Sequence, residues 1–174
     1  MPQNGHKITK KMNNSLIKNS LNKTISYAAY RNLIKNLISA EKSTGKEQSE
    51  EHLTFSILND KRMDRLDKTL TISNETQNHL NNLNKGFTFL VIAEGWCGDA
   101  AQILPIINKV VEASDKIDFK IVLRDENEDL MNQYLTNGSK SIPKVLILAP
   151  ENNVLNSCAP RPSVATQIVV DYKA

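Results

Sequence analysis

From Gly86 onward the chain alternates short apolar runs with amphipathic stretches, and this alternation limits its folds more than any other feature. "FTFLVIA" (87–93) is a run of strand formers without a charge, the mark of a strand buried on both faces. A helical stretch follows from Cys97 to about Ala113, with Ile103, Leu104, Ile107, Val110 and Val111 as its buried side. "IDFKIVL" (117–123) predicts a second strand, and "NEDLMNQYLTNG" (127–138) a helix ended by Gly138. "KVLILA" and "NNVLNSC" predict a hairpin-like pair around "PENN", and residues 162–173 a closing helix. Strand, helix, strand, helix, strand, strand, helix is an α/β order.

The half before Gly86 reads differently. Tyr27, Tyr30, Ile34, Leu37 and Ile38 recur at spacings of three and four and form one helical stripe. "EKSTGKEQSE" interrupts it as a loop, and a second helix runs from about Glu50 to Leu70, with Leu53, Ile57, Leu58, Met63, Leu66 and Leu70 as its apolar set. A short helix starts near Asn74. Two apolar stripes of this length cannot make a core alone. The expected organisation is therefore a disordered basic tail over 1–25, a helical extension over 26–70 packed on the rest, and a main domain over 71–174.

Composition excludes little but narrows the partners. A net charge of +3 on 174 residues is mildly basic and does not call for nucleic acid. "KRMDRLDK" alternates its basic residues with acids, as a solvated helix face does. The first two dozen residues lack the apolar core of a secretory signal, and no apolar run approaches the ~18 residues of a membrane span. A cytoplasmic protein that binds no membrane is expected, and with two cysteines no structural disulfide. His6, His52 and His79 have no ligand spacing and read as surface histidines, so no metal site and no cofactor are expected.

The chemistry is concentrated in "EGWCGDAAQILP" (94–105). Cys97 opens a helix, where unpaired N–H groups and the helix dipole favour a thiolate. Gly98 permits close approach of a partner backbone, whereas the Asp99 carboxylate repels a neighbouring thiolate. Ala100 stands where a second cysteine would resolve a mixed disulfide intramolecularly. Cys97 is expected to be partly exposed and more reactive than Cys158.

"WCGD" at the helix start, Pro105 eight residues after Cys97, "SIPKVLIL" (141–148) and "RDENEDL" at a strand end together resemble the thioredoxin fold, a three-layer α/β architecture. The resemblance implies a cis bond between Ile142 and Pro143; Trp96 either shields the thiol and offers substrates an apolar contact or simply packs. The resemblance also puts Val91 where thioredoxins keep a buried proton-transferring acid, so no relay is expected there. "YRNLI", "RMDRLDKT", "GWCGDAAQILP", "RDENEDLMNQYLTNGSKSIPK" and "PRP" further resemble bacterial thioredoxin-family proteins with a helical N-terminal extension and a WCGDA motif.

The resemblance implies a thiol-redox protein forming mixed disulfides through Cys97, its partners being protein or low-molecular-weight thiols and disulfides. Two readings of Cys158 stand: a small buried hydrophobe, or a replacement resolving thiol. Arg124 and Arg161 are either solvated or close enough to favour the thiolate or bind a substrate carboxylate. The alternative function is a non-catalytic binding module, holding an extended peptide between Trp96, Ile142 and Arg161.

Overall fold

The computed structural model describes residues 14–158, 160, 161 and 167. Four helices come first: α1 (14–21), α2 (Tyr27–Ser39), α3 (Glu50–Thr69) and α4 (Asn74–Asn81). The order continues β1 (Phe87–Ala93), α5 (Gly98–Glu112), β2 (Ile117–Leu123), a 3₁₀ turn (Arg124–Glu126), α6 (Glu128–Gln133), β3 (Lys144–Leu148) and β4 (Val154–Cys158). The strands form one sheet in the order β2-β1-β3-β4, with β1 parallel to β2 and antiparallel to β3. A four-stranded mixed sheet flanked by helices, with a helical part before it, is a thioredoxin-like α/β fold.

Each of α2, α3 and α4 begins at a serine whose hydroxyl accepts an N–H of the first turn: Ser26 from Ala29, Ser49 from His52 and Ser73 from Thr76. In α5 that capping place is taken by Cys97, whose sulfur accepts from the Ala100 N–H. The last four residues of β1 are completely buried, as the uncharged run requires. They pack with Leu104 of α5, Ile121 and Leu146. The same core takes in Ile17, Tyr30, Ile34 and Met63 from the helical part. Residues 14–25 were expected as disordered tail and are not. Ile17 is fully buried, and Ile25 exchanges backbone hydrogen bonds with Ile121 at 2.9 and 3.0 Å, extending the sheet beyond β2.

Two helix expectations need correction. The buried face of α3 carries Ser56, Asn59 and Met63, whereas Ile57 and Leu58 are 38% and 42% exposed. Polar residues can occupy that face because their partners lie there: Ser56 pairs with Ser43 (2.8 Å) and Asn59 with the Gly95 carbonyl (3.0 Å). The helix expected over 127–138 stops at Gln133. Asn137 and Gly138, both at positive φ, form a two-residue turn closed by Thr136 and Ser139. The closing helix expected over 162–173 lies outside the described residues apart from Gln167.

Candidate functional site

Cys97 sits at the end of the turn joining β1 to α5, and the helical part fixes that turn from both sides. The Gly95 N–H donates to the Thr44 hydroxyl (2.7 Å) and the Gly95 carbonyl accepts from Asn59 of α3 (3.0 Å). The Asn59 oxygen in turn accepts from Arg62 (3.0 Å), whose Nη1 lies 3.5 Å from where a side chain on Gly98 would begin. Gly98 thus leaves room for a guanidinium beside the start of α5.

The sulfur is enclosed. Cys97 is 8% exposed; its thiol donates to the Ile142 carbonyl (3.2 Å) and accepts from the Ala100 N–H at 3.5 Å. The Ile142–Pro143 peptide bond is cis. Burial pushes the thiol pKa up, and the Asp99 charge adds to this. The Ala100 and Asp99 N–H groups and the Arg124 charge pull the other way without prevailing. The sequence expectation of a partly exposed Cys97 is therefore corrected: the helix start does favour the anion, but desolvation outweighs it.

Trp96 is held between two side chains. His52 of α3 stacks on its ring with centroids 4.5 Å apart and planes 6° from parallel, and the Arg124 guanidinium lies 4.9 Å from the centroid. His52 is accordingly no free surface histidine. Arg124 is anchored by Asp125 (2.8 Å), and Asp125 reaches back to the Lys46 N–H (2.9 Å). Gly45, at φ +88°, makes this passage possible: a Cβ there would lie 2.8 Å from the Asp125 carboxylate.

Arg161 grips Asp99 with two contacts of 2.9 and 2.8 Å, taking up the charge beside the thiol. Trp96, Cys97, Asp99, Arg124, Ile142 and Arg161 line one cleft of about 600 Å³ with Lys140 and Ser141. A second cleft of similar size, about 600 Å³, adjoins it at Trp96, Cys97, Asp99 and Arg161 and is walled further by His52, Phe55 and Arg62 of α3. Ala100 is buried under the sulfur that its N–H touches. The structure does not bring Cys158 into either cleft lining. It lies at the end of the edge strand β4, opposite Val145, and is exposed, so the buried-hydrophobe reading is overturned.

Glu94 escaped the sequence reading. Val91 is buried and apolar, as its position implied, but three residues on the completely buried Glu94 carries an acid into the same region. Its Oε1 accepts the Asp125 N–H (3.0 Å), whereas Oε2 has no hydrogen-bond partner. Burial raises its pKa, against the pull of the nearby Thr44 hydroxyl and the Asp125 N–H. The charges of Glu94 and Cys97 both bear on the buried Tyr30 hydroxyl, whose pKa is raised first by its own burial. An acid directly after an uncharged strand, with no turn residue between, was the available signal.

Among the described residues there is no cluster of three or more His, Cys, Asp or Glu suited to a metal ion. No described helix is long and apolar enough to cross a membrane.

The chain is similar in fold to the protein of unknown function PA1234 from Pseudomonas aeruginosa: 20% identity over 86% of this chain and 87% of that one, TM-score 0.56. It is similar also to an HIV epitope scaffold: 22% identity, 84% and 82% coverage, TM-score 0.56. At such identities the likeness is one of fold alone. No curated protein matches the chain in sequence. A thioredoxin family profile matches residues 45–173, reaching from the loop before α3 through the whole sheet. The chain belongs to the thioredoxin family.

Proposed function

We propose that the protein is a thiol-redox protein working through Cys97 alone, and that an external thiol completes each cycle. The observation that carries this reading is the setting of the sulfur. It caps α5, donates to the carbonyl of Ile142 beside cis-Pro143, and borders both clefts. The Cys97 thiol gives up its proton and its sulfur attacks a disulfide R–S–S–R′. A Cys97–S–S–R bond forms, and R′S⁻ leaves and takes up a proton. Ala100 cannot finish the exchange, and Cys158 stands outside both cleft linings, so release falls to a free thiol. The substrates are then protein or small-molecule disulfides, and the fitting compartment is a reducing cytoplasm. The WCGDA motif and the helical part together favour the bacterial group that the sequence resembles.

The test uses Cys158→Ser protein, so that one thiol remains. Incubation with a small disulfide should add one mixed disulfide by intact mass. A low-molecular-weight thiol should remove it, and Cys97→Ser should form none. Failure of Cys97 to form a mixed disulfide would refute the reading.

The burial of Cys97 favours a second reading, a binding module that holds an extended peptide without turnover. It predicts peptide affinity that survives Cys97→Ser and an absence of disulfide reduction even with added thiol.

A further inference from the structure

The second cleft, between α3 and the start of α5, shares Trp96, Cys97, Asp99 and Arg161 with the first, but adds Phe55 and Arg62 of α3 and has no share in the cis-proline loop. Its chemistry differs from that of the first. Among the described residues, Arg62 has no carboxylate within ion-pair distance, whereas Arg161 is taken by Asp99 and Arg124 by Asp125. Arg62 is also held in place: Asn59, completely buried and anchored to Gly95, accepts from its Nη1. The guanidinium therefore points a fixed, uncompensated positive charge at Gly98, one residue from the sulfur. Phe55, 42% exposed, adds an apolar wall, and Gln102 a polar one. Of the two carboxylates lining this cleft, Glu51 is exposed to solvent and acts against an anion only weakly, and Asp99 is neutralised by Arg161.

We infer that this cleft receives a low-molecular-weight thiol bearing a carboxylate, with the carboxylate on Arg62 and the sulfur on Cys97. The inference rests on the thiol-redox reading and names the external thiol. Cys97 belongs to the wall of both clefts, which suits displacement at its sulfur. With substrate R bound on the cis-proline side, the small thiolate R″S⁻ attacks Sγ. The Cys97–S–S–R bond breaks, R leaves as a thiolate and is protonated, and a Cys97–S–S–R″ bond remains. A second R″SH attacks the R″ sulfur, freeing the Cys97 thiol and forming R″–S–S–R″. Over the cycle one substrate disulfide is reduced and two small thiols are oxidised.

The experiment measures the exchange equilibrium of full-length Cys158→Ser protein with three symmetrical disulfides: 3,3′-dithiodipropionate (anionic), 2-hydroxyethyl disulfide (neutral) and cystamine (cationic). Capped Cys97 is quantified by intact mass, and the same chain unfolded in denaturant supplies the reference without a site. The expected preference for the anionic cap over the cationic one, relative to unfolded chain, is at least about tenfold, the effect of one charge-assisted contact. Arg62→Gln should collapse that ratio, and Arg62→Lys should retain most of it. The neutral disulfide, measured in each variant, corrects for any change in folding or in the thiol itself. Capping without charge preference overturns this inference alone, as does a preference that survives Arg62→Gln. A ratio that falls with Lys140→Gln instead assigns the anion to the other cleft and also overturns it. Absence of any cap refutes the thiol-redox reading and this inference with it.

Discussion

Replacing Arg31 by methionine tests whether the helical part is one cooperative unit with the sheet. Arg31, on α2, has a side chain only 8% exposed and faces three aspartates of α3. Its Nη1 lies 2.8 Å from Asp60, although too poorly aligned for a hydrogen bond; Nη2 contacts Asp64 closely, and Nε is 3.5 Å from Asp67. The Asp67 carboxylate also accepts the Tyr27 hydroxyl at 2.8 Å. Removing one partner of a buried ion pair costs about 3–5 kcal/mol. Here the full value applies only to Asp60, 18% exposed, and the residual charge on it is relieved by some solvent. Asp64 and Asp67, 42% and 33% exposed, add no more than the ~0–1 kcal/mol of surface pairs. The expected loss is about 2–3 kcal/mol, or about 5–10 °C in Tm for a chain of this size. The assay is thermal and urea unfolding at neutral pH, followed both by far-UV circular dichroism and by Trp96 fluorescence. Burial raises the Asp64 pKa, but the Lys35 hydrogen bond and the Arg31 charge outweigh it, so the folded value lies below the ordinary one. The Asp64 share of the contribution is therefore present above about pH 3.9 and lost as pH falls through the folded value, so the gap between wild type and variant should narrow in acid. A loss under about 0.5 kcal/mol at neutral pH, or a Trp96 transition untouched by the substitution, would refute this account.

Brief alkylation should label the exposed Cys158 before the enclosed Cys97; peptide mapping with Cys97 labelled first would contradict the burial described. Because burial raises the Cys97 pKa, its alkylation rate in Cys158→Ser protein should still be climbing above about pH 8.5, and a plateau below that value would sink the argument. His52→Ala should brighten and red-shift the emission of Trp96, the sole tryptophan, and an unchanged spectrum would mean that the stack does not persist in solution. Glu94 has a raised folded pKa. Its contribution is complete below about pH 4.3 and declines as pH rises through the folded value, so Glu94→Gln should flatten the stability profile above pH ~4.3, as denaturant midpoints would report.

The strands were legible because burial on both faces leaves an uninterrupted apolar run: β1 and β2 occupy the expected 87–93 and 117–123. The α3 face was not. An apolar count favours Ile57 and Leu58, but what decides the face is the hydrogen-bonding capacity of Ser56 and Asn59, whose partners lie 13 and 36 residues away. The same limit applies around Cys97. The motif, the cis-proline position and the two arginines could be read locally. The stacking of His52 and the placing of Arg62 depend on how α3 docks, which no short pattern encodes. Ile17 shows the converse error: in a stretch this polar, Leu16, Ile17 and Leu21 make too short a stripe to stand out, yet Ile17 is fully buried.

The polar seam between α3 and the turn before Cys97 has a kinetic consequence. An interface closed by Asn59, Thr44 and a ring stack, rather than by a wide apolar surface, is a place where a protein opens locally before it unfolds globally. Each such opening would uncover the sulfur while leaving β1 and β2 intact. The rate at which a small reagent reaches Cys97 thereby becomes a clock for α3 undocking. If that rate is limited by the opening, it will be independent of reagent concentration. If it is limited by encounter, its denaturant dependence will report an opening free energy smaller than that of the whole chain.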